Sequence, residues 1–280
     1  MASKQAAPPP LEPMDLFPFR GQYGGSIAGA ALFVAVRTAV PLVFYSLLAP
    51  PNSTLSIFSR FPSAYPSRPP PTDGLSIPFF PDFLLRWIEQ ALGLPSFSAM
   101  VFLGAALPSI QFIMYNIVWR REKFPMTGQG GSIQVTTQVN LFDTVHALLF
   151  VYLASSNPTW SPTIFKWTPI FFVAGLALHF IADHSKYVFR KDTKNRGKVY
   201  TGGVWGVVRH PNFLGFTMWR TAFATAAGGW VFGLLALAMF AYILCGTSVR
   251  VLEGYMDGAY GREWKRATEK VRWKMVPGIW

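Results

Sequence analysis

The chain has 280 residues, 51% of them hydrophobic and 14% charged. That is too little charge for an ordinary soluble domain, where about a quarter of residues are charged. The formal net charge of +12 falls in segments between long apolar runs, so it reads as positive-inside bias in preference to nucleic-acid binding. The single cysteine, Cys245, excludes an internal disulfide.

In chain order, residues 1–25 are Pro-rich and polar and read as a flexible or surface-lying tail. Residues 26–48 form the first expected span, with Arg37 at its middle and Pro41 as a kink. A Pro/Ser-rich loop follows over 49–73 and carries the sequon Asn52-Ser53-Thr54, usable if the loop is lumenal. Asp82, Arg86 and Glu89 sit among Phe, Leu and Trp over 82–95, which suits an amphipathic helix at the interface. Further spans are expected at about 96–118, 140–156, 163–183, 211–226 and 230–249, with Ala227-Gly228-Gly229 separating the last two.

These six spans place 1–25, 119–139, 184–210 and 250–280 on one side, and those segments hold 19 of the 25 Lys and Arg. The asymmetry predicts an all-α polytopic membrane bundle with both termini cytoplasmic. Residues 26–280 are expected to form a single membrane domain.

The most informative stretch is 184–216, HSKYVFRKDTKNRGKVYTGGVWGVVRHPNFLGF. Lys186 and Arg190 share a face if the preceding helix continues through them. Two cations so placed can hold a phosphate, or equally a lipid headgroup. Gly202-Gly203 permits close backbone approach to a ligand. Arg209 and His210 stand at a helix start opened by Pro211, an arrangement that serves either anion binding or ordinary capping. Asp143 with His146 and His179 with Asp183 recur at helical spacing within spans. Such polar groups are costly in a membrane and often functional. For Asp143 and His146 a proton relay and structural pairing, for example with Arg37 and Arg220, both stay open. For His179 and Asp183, nearer water, the structural reading is preferred.

This stretch resembles the C-terminal part of the steroid 5α-reductase-like and sterol reductase families. There a Q/H-K-x-x-F-R segment is followed by Gly-Leu/Phe-Trp and R-H-x-N-Y/F-x-G. EGYMDGAYGREW from Glu253 and the ending Pro277-Gly278-Ile279-Trp280 match the same families, so the resemblance covers about 180–280. It implies an NADPH-dependent reductase of a carbon–carbon double bond in a lipophilic substrate, seated in the endoplasmic reticulum among membrane lipids, with no nucleic-acid partner. The matching positions imply cofactor contacts at Lys186, Arg190, Tyr200, Trp205, Asn212, Phe213 and Tyr260; Arg209 and His210 join them as the expected anion site at the helix start, and Glu253 is a further candidate contact. Candidate proton donors are Tyr260, Asp143 and His146, with Tyr200 beside them. The chain departs from the family pattern at Phe216, Leu252, Met256 and Ala267, where polar residues are usual. Those departures keep open a non-catalytic scaffold. The chain is also similar to the isoprenylcysteine and phospholipid membrane methyltransferases, which share R-H-P-x-Y/F-x-G and a later Glu. That likeness implies S-adenosylmethionine near His210, Asn212 and Glu253.

Overall fold

A computed structural model describes residues 19, 21–24 and 26–280. Most of the tail expected over 1–25 therefore lies outside the described residues. Its end does not: Lys123 N donates to Gln22 O at 2.8 Å, and Tyr23 forms an isolated antiparallel bridge with Glu122. Among the described residues there is no strand, and the architecture is an all-α bundle.

The helices are α1 (Ile27–Leu48), α2 (Asp82–Leu92), α3 (Ser96–Met114), α4 (Ser132–Leu153), α5 (Thr168–Lys191), α6 (Pro211–Ala241), α7 (Val249–Tyr260) and α8 (Arg262–Lys270). Four stretches are long and apolar enough to cross a membrane: Ile27–Leu48, Ser96–Trp119, Pro162–Lys191 and Pro211–Tyr260. The last is 50 residues long and folds back on itself at Gly229 (φ 81°, ψ 177°). Only glycine adopts that conformation readily, and a Cβ there would fall 2.6 Å from Thr159 O. The expected break after residue 226 is thus a hairpin, closed by Asn157 Nδ2 donating to Gly228 O at 2.8 Å. The long helix α4 is less apolar. It begins at Ser132 rather than near 140, because Gln134, Thr137 and Gln138 are helical but polar and exposed. An apolarity reading leaves out such turns.

In α1, Phe33, Arg37, Val40, Phe44 and Leu48 form one buried stripe, which packs toward α3 and α4. α5 and the first arm of α6 lie in near backbone contact. A Cβ on Gly175 would meet Trp219 N at 2.6 Å, and one on Gly215 would meet His179 N at 2.5 Å. Small residues allow this close approach where helices associate in a membrane. It fixes the middle of α5 against the first turns of α6. α2 buries Leu85 and leaves Phe83 and Trp87 exposed beside Asp82 and Arg86, the pattern of a helix lying in an interface.

Candidate functional site

α5 runs unbroken through Tyr187, Val188 and Phe189, so Lys186 and Arg190 share a face one turn apart. The following loop folds back on this face. Asn195 Nδ2 donates to Phe189 O at 2.9 Å, and the Tyr200 ring lies on Phe189 at 4.7 Å between centroids. Trp205 is buried and its Nε1 donates to Ala182 O at 2.9 Å. That bond holds the indole beneath Lys186, whose Nζ sits 4.3 Å from the ring centroid. Gly203 takes φ 52°, and a Cβ on Gly202 would fall 2.8 Å from the Tyr200 ring. The glycine pair therefore serves the close packing of its own loop.

Arg209 and His210 converge on Glu253 of α7. Arg209 Nε donates to Glu253 Oε1 at 2.9 Å, and His210 Nε2 lies 3.3 Å from the same oxygen. Lys274 Nζ lies 3.3 Å from Glu253 Oε2. The C-terminal segment is tied to this hub, since Arg209 N and His210 N donate to Trp273 O and Lys274 O at 2.9 and 2.8 Å. Burial holds the His210 imidazole below its ordinary pKa, although Glu253 pulls the other way and Lys186 and Arg209 oppose protonation. His210 Nδ1 is buried without a hydrogen-bond partner.

Three cavities meet here. The first, of about 580 Å³, is lined by Lys186, Arg190, Tyr200, Trp205, Arg209, His210 and Tyr260. Its opposite wall contains Leu252, Met256 and Ala267, so three of the family departures make one side of this cavity apolar. The second, of about 1200 Å³, shares Lys186, Arg190, Lys198 and Tyr260 with the first and adds Arg121 and Arg196. Its acids are Glu122 and Asp183, so cations predominate. The third, of about 1000 Å³, is mostly aromatic and aliphatic and contains Phe213 and Phe216. The second and third share Tyr115, Asp183 and Asn212. A basic chamber thus adjoins a greasy one, with three polar side chains from three helices lining both.

The structure accordingly gathers Lys186, Arg190, Tyr200, Trp205, Arg209, His210 and Tyr260 around one hollow. Asn212 stands at the junction and Phe213 in the apolar chamber. Glu253 lines none of the three and instead anchors Arg209, His210 and Lys274. Asp143 and His146 also line none of them. Asp143 is the shared counter-ion of two buried guanidiniums, Arg37 at 2.7 Å and Arg220. The His146 ring is stacked on Phe223 at 4.7 Å, with Nδ1 directed to Phe142 O. Of the two roles left open for Asp143, the geometry presents structural pairing.

Sequence reasoning did not single out Tyr115, and it gave His179 and Asp183 a structural role. The signal lay in Gln111, Tyr115 and Asn116, polar residues at helical spacing within an otherwise apolar span. His179 Nδ1 accepts from Trp219 Nε1 at 3.3 Å, which leaves Nε2, 3.3 Å from Asp183 Oδ2, to carry the proton toward that carboxylate.

A probable O-methyltransferase, ustE of Ustilaginoidea virens, is 27% identical over 260 residues, 90% of this chain and 86% of that protein. A 7-dehydrocholesterol reductase of Danio rerio is 32% identical over 90 residues, 30% of this chain and 18% of that protein. A Delta(14)-sterol reductase, ERG24B, of Gibberella zeae is 28% identical over 156 residues, 39% of this chain and 32% of that protein. The chain therefore spans less than a third of either sterol reductase. The family model described as protein of unknown function (DUF1295) matches residues 132–271, half of the chain and well upstream of the resemblance found from residue 180. With that match laid over α4 through α8, the whole of the first cavity and part of the other two, the chain belongs to the DUF1295 family of steroid 5α-reductase-like membrane proteins.

Proposed function

We propose that this protein is a membrane-embedded, NADPH-dependent oxidoreductase that reduces a carbon–carbon double bond of a sterol, steroid or other lipophilic enone. One observation carries the reading: a cation-lined chamber and an apolar chamber share a wall made of Tyr115, Asp183 and Asn212. The lining suits the phosphates of a dinucleotide, which Lys186, Arg190, Arg196 and Lys198 would hold. S-adenosylmethionine carries net positive charge and would be repelled by the same lining. Trp205 and Tyr200 offer ring faces, and the buried, unpartnered Oδ1 of Asn212 awaits an amide or hydroxyl donor where the chambers meet.

When bound, the reduced nicotinamide supplies hydride. The chain's own groups supply the rest. Asn212 would hold the ring's amide at the junction, and Phe213 and Phe216 of the apolar chamber exclude water beside it. Tyr115, on the shared wall, is placed to give its Oη proton to the carbon that does not take hydride, and the His179–Asp183 pair beside it can replace that proton. Tyr260, in both polar chambers, serves the cofactor side. The basic face then looks to the cytoplasm, both termini lie there, and the lipophilic substrate enters from an endoplasmic reticulum bilayer.

A second reading is favoured by the extent of the match to the probable O-methyltransferase: S-adenosylmethionine-dependent methyl transfer, with Arg209, His210 and Glu253 organising the cofactor. Titrating purified protein with each cofactor separates the two. The expected result is NADPH binding, weakened at least about 100-fold by Lys186→Ala with Arg190→Ala, as loss of two charge-assisted contacts implies. Binding of S-adenosylmethionine in place of NADPH overturns the reductase reading.

A further inference from the structure

Among the described residues that line the apolar chamber, Gln111 alone has both a buried donor and a buried acceptor without a partner. Gln111 of α3 is 6% exposed, and neither its Nε2 nor its Oε1 has a hydrogen-bond partner. Asn116 and Ser109, its polar neighbours on the same stretch of helix, do have partners. Asn116 Nδ2 donates to Phe112 O at 2.8 Å and its Oδ1 accepts from Arg120 at 3.0 Å, while Ser109 Oγ accepts from Arg37 at 2.7 Å. Gln111 lines the chamber together with Phe33, Phe112, Phe124, Val135 and Leu244, and with the polar side chains of Asn116, Arg120 and Gln138. A buried amide with both ends open is unfavourable in the empty protein and rare in native structures. The position costs stability unless something polar arrives to meet it.

We infer that Gln111 is the substrate-recognition residue of the apolar chamber and that it binds a carbonyl or hydroxyl oxygen of the otherwise hydrocarbon substrate. This rests on the reductase reading for the identity of the chamber as a substrate site. The carboxamide can donate to a ketone or accept from a hydroxyl, so it suits either oxygen. Its place narrows the substrate further. Gln111 and Tyr115 are four residues apart on one helix face, about 6 Å along the axis. An oxygen held at Gln111 therefore lies close to the bond that receives the proton from Tyr115. The oxygen and the double bond belong to the same end of the molecule, as in an enone, and not to opposite ends of a long ring system. A site built to hydrogen-bond an oxygen also rejects the analogue that lacks it, because its own buried groups are then left unpaired.

The experiment compares cholest-4-en-3-one with its parent hydrocarbon cholest-4-ene as ligands for purified protein in detergent, for wild type, Gln111→Leu and the equally long Gln111→Met. Wild type is expected to bind the ketone about tenfold more tightly than the hydrocarbon, the contribution of a single amide hydrogen bond. Both variants are expected to lose that preference. They are also expected to melt at a higher temperature than wild type without ligand, a gain that a merely structural glutamine would not produce. A variant that keeps the ketone preference overturns the inference, and so does a wild type that shows none or binds neither probe. NADPH titration of wild type is the independent arm. If NADPH fails to bind while Gln111 still governs ketone selection, the reductase reading falls and the recognition role stands.

Discussion

The ion cluster at the centre of the bundle makes the sharpest test of what Asp143 is for. Asp143 accepts from Arg37 Nη1 at 2.7 Å through one oxygen and from Arg220 Nη1 through the other. The side chains of Arg37, Asp143 and Arg220 are 0, 3 and 2% exposed. Arg37 also donates to Asn140 Oδ1 at 2.9 Å and Ser109 Oγ at 2.7 Å, and the Arg220 guanidinium lies 4.3 Å from the Trp219 ring centroid. Asp143→Asn keeps the shape and removes the only negative charge in the cluster. Two guanidiniums are then left uncompensated in a low-dielectric interior. Breaking a buried ion pair costs about 3–5 kcal/mol, and a carboxylate serving two partners belongs at the upper end. A loss of that size lowers the melting temperature by about 10 °C. Replacing all three together, Arg37→Met with Asp143→Leu and Arg220→Met, removes charges and partners alike and is expected to restore most of the loss. Melting of purified protein in detergent, read beside NADPH-dependent turnover, checks both. An Asp143→Asn protein that melts like wild type yet has lost turnover would refute the structural assignment and return Asp143 to the list of proton donors.

Three further outcomes follow from the same geometry. Arg190→Ala is expected to weaken NADPH binding by about 1.5–3 kcal/mol, one charge-assisted contact, and to flatten the salt dependence of the affinity, measured by fluorescence titration at low and high ionic strength. Burial depresses the His210 pKa below its ordinary 6.5, so the unfolded chain takes up this proton first as pH falls. Its contribution to stability is then complete above 6.5 and is lost as pH drops through the depressed value. Melting curves between neutral and mildly acidic pH should show that loss for wild type, with the slope reduced in His210→Gln. Gly229→Ala forces a side chain into a glycine-only conformation, 2.6 Å from Thr159 O. It is expected to cost at least about 1–3 kcal/mol, seen as a lower melting temperature with the Lys186 and Arg190 side of the site unaffected in NADPH affinity.

Much of the molecule follows from local pattern. Apolar run lengths, the glycine pair at the hairpin and the one-turn spacing of Lys186 and Arg190 each depend on residues within a few positions of one another. Helical periodicity acts over that range, so membrane class, all-α architecture and a basic face at the end of α5 are legible without coordinates. The polar start of α4 escaped that reading, because an apolarity threshold cannot recognise Gln134, Thr137 and Gln138 as helix. The site itself is a matter of distance in sequence. Asp143 reaches Arg37 across 106 positions and Arg220 across 77, and Glu253 meets Arg209 across 44. The letters named Arg37 and Arg220 as possible partners of Asp143; only helix packing brought all three together. The junction of Tyr115, Asp183 and Asn212 is likewise assembled from α3's extension, α5 and α6. Gly175 and Gly215 bring two of those helices into backbone contact, and burial by helices far apart in the chain leaves Gln111 without a partner. Whether a polar side chain inside a membrane is satisfied depends on what packs against it, and that is decided by the tertiary structure alone.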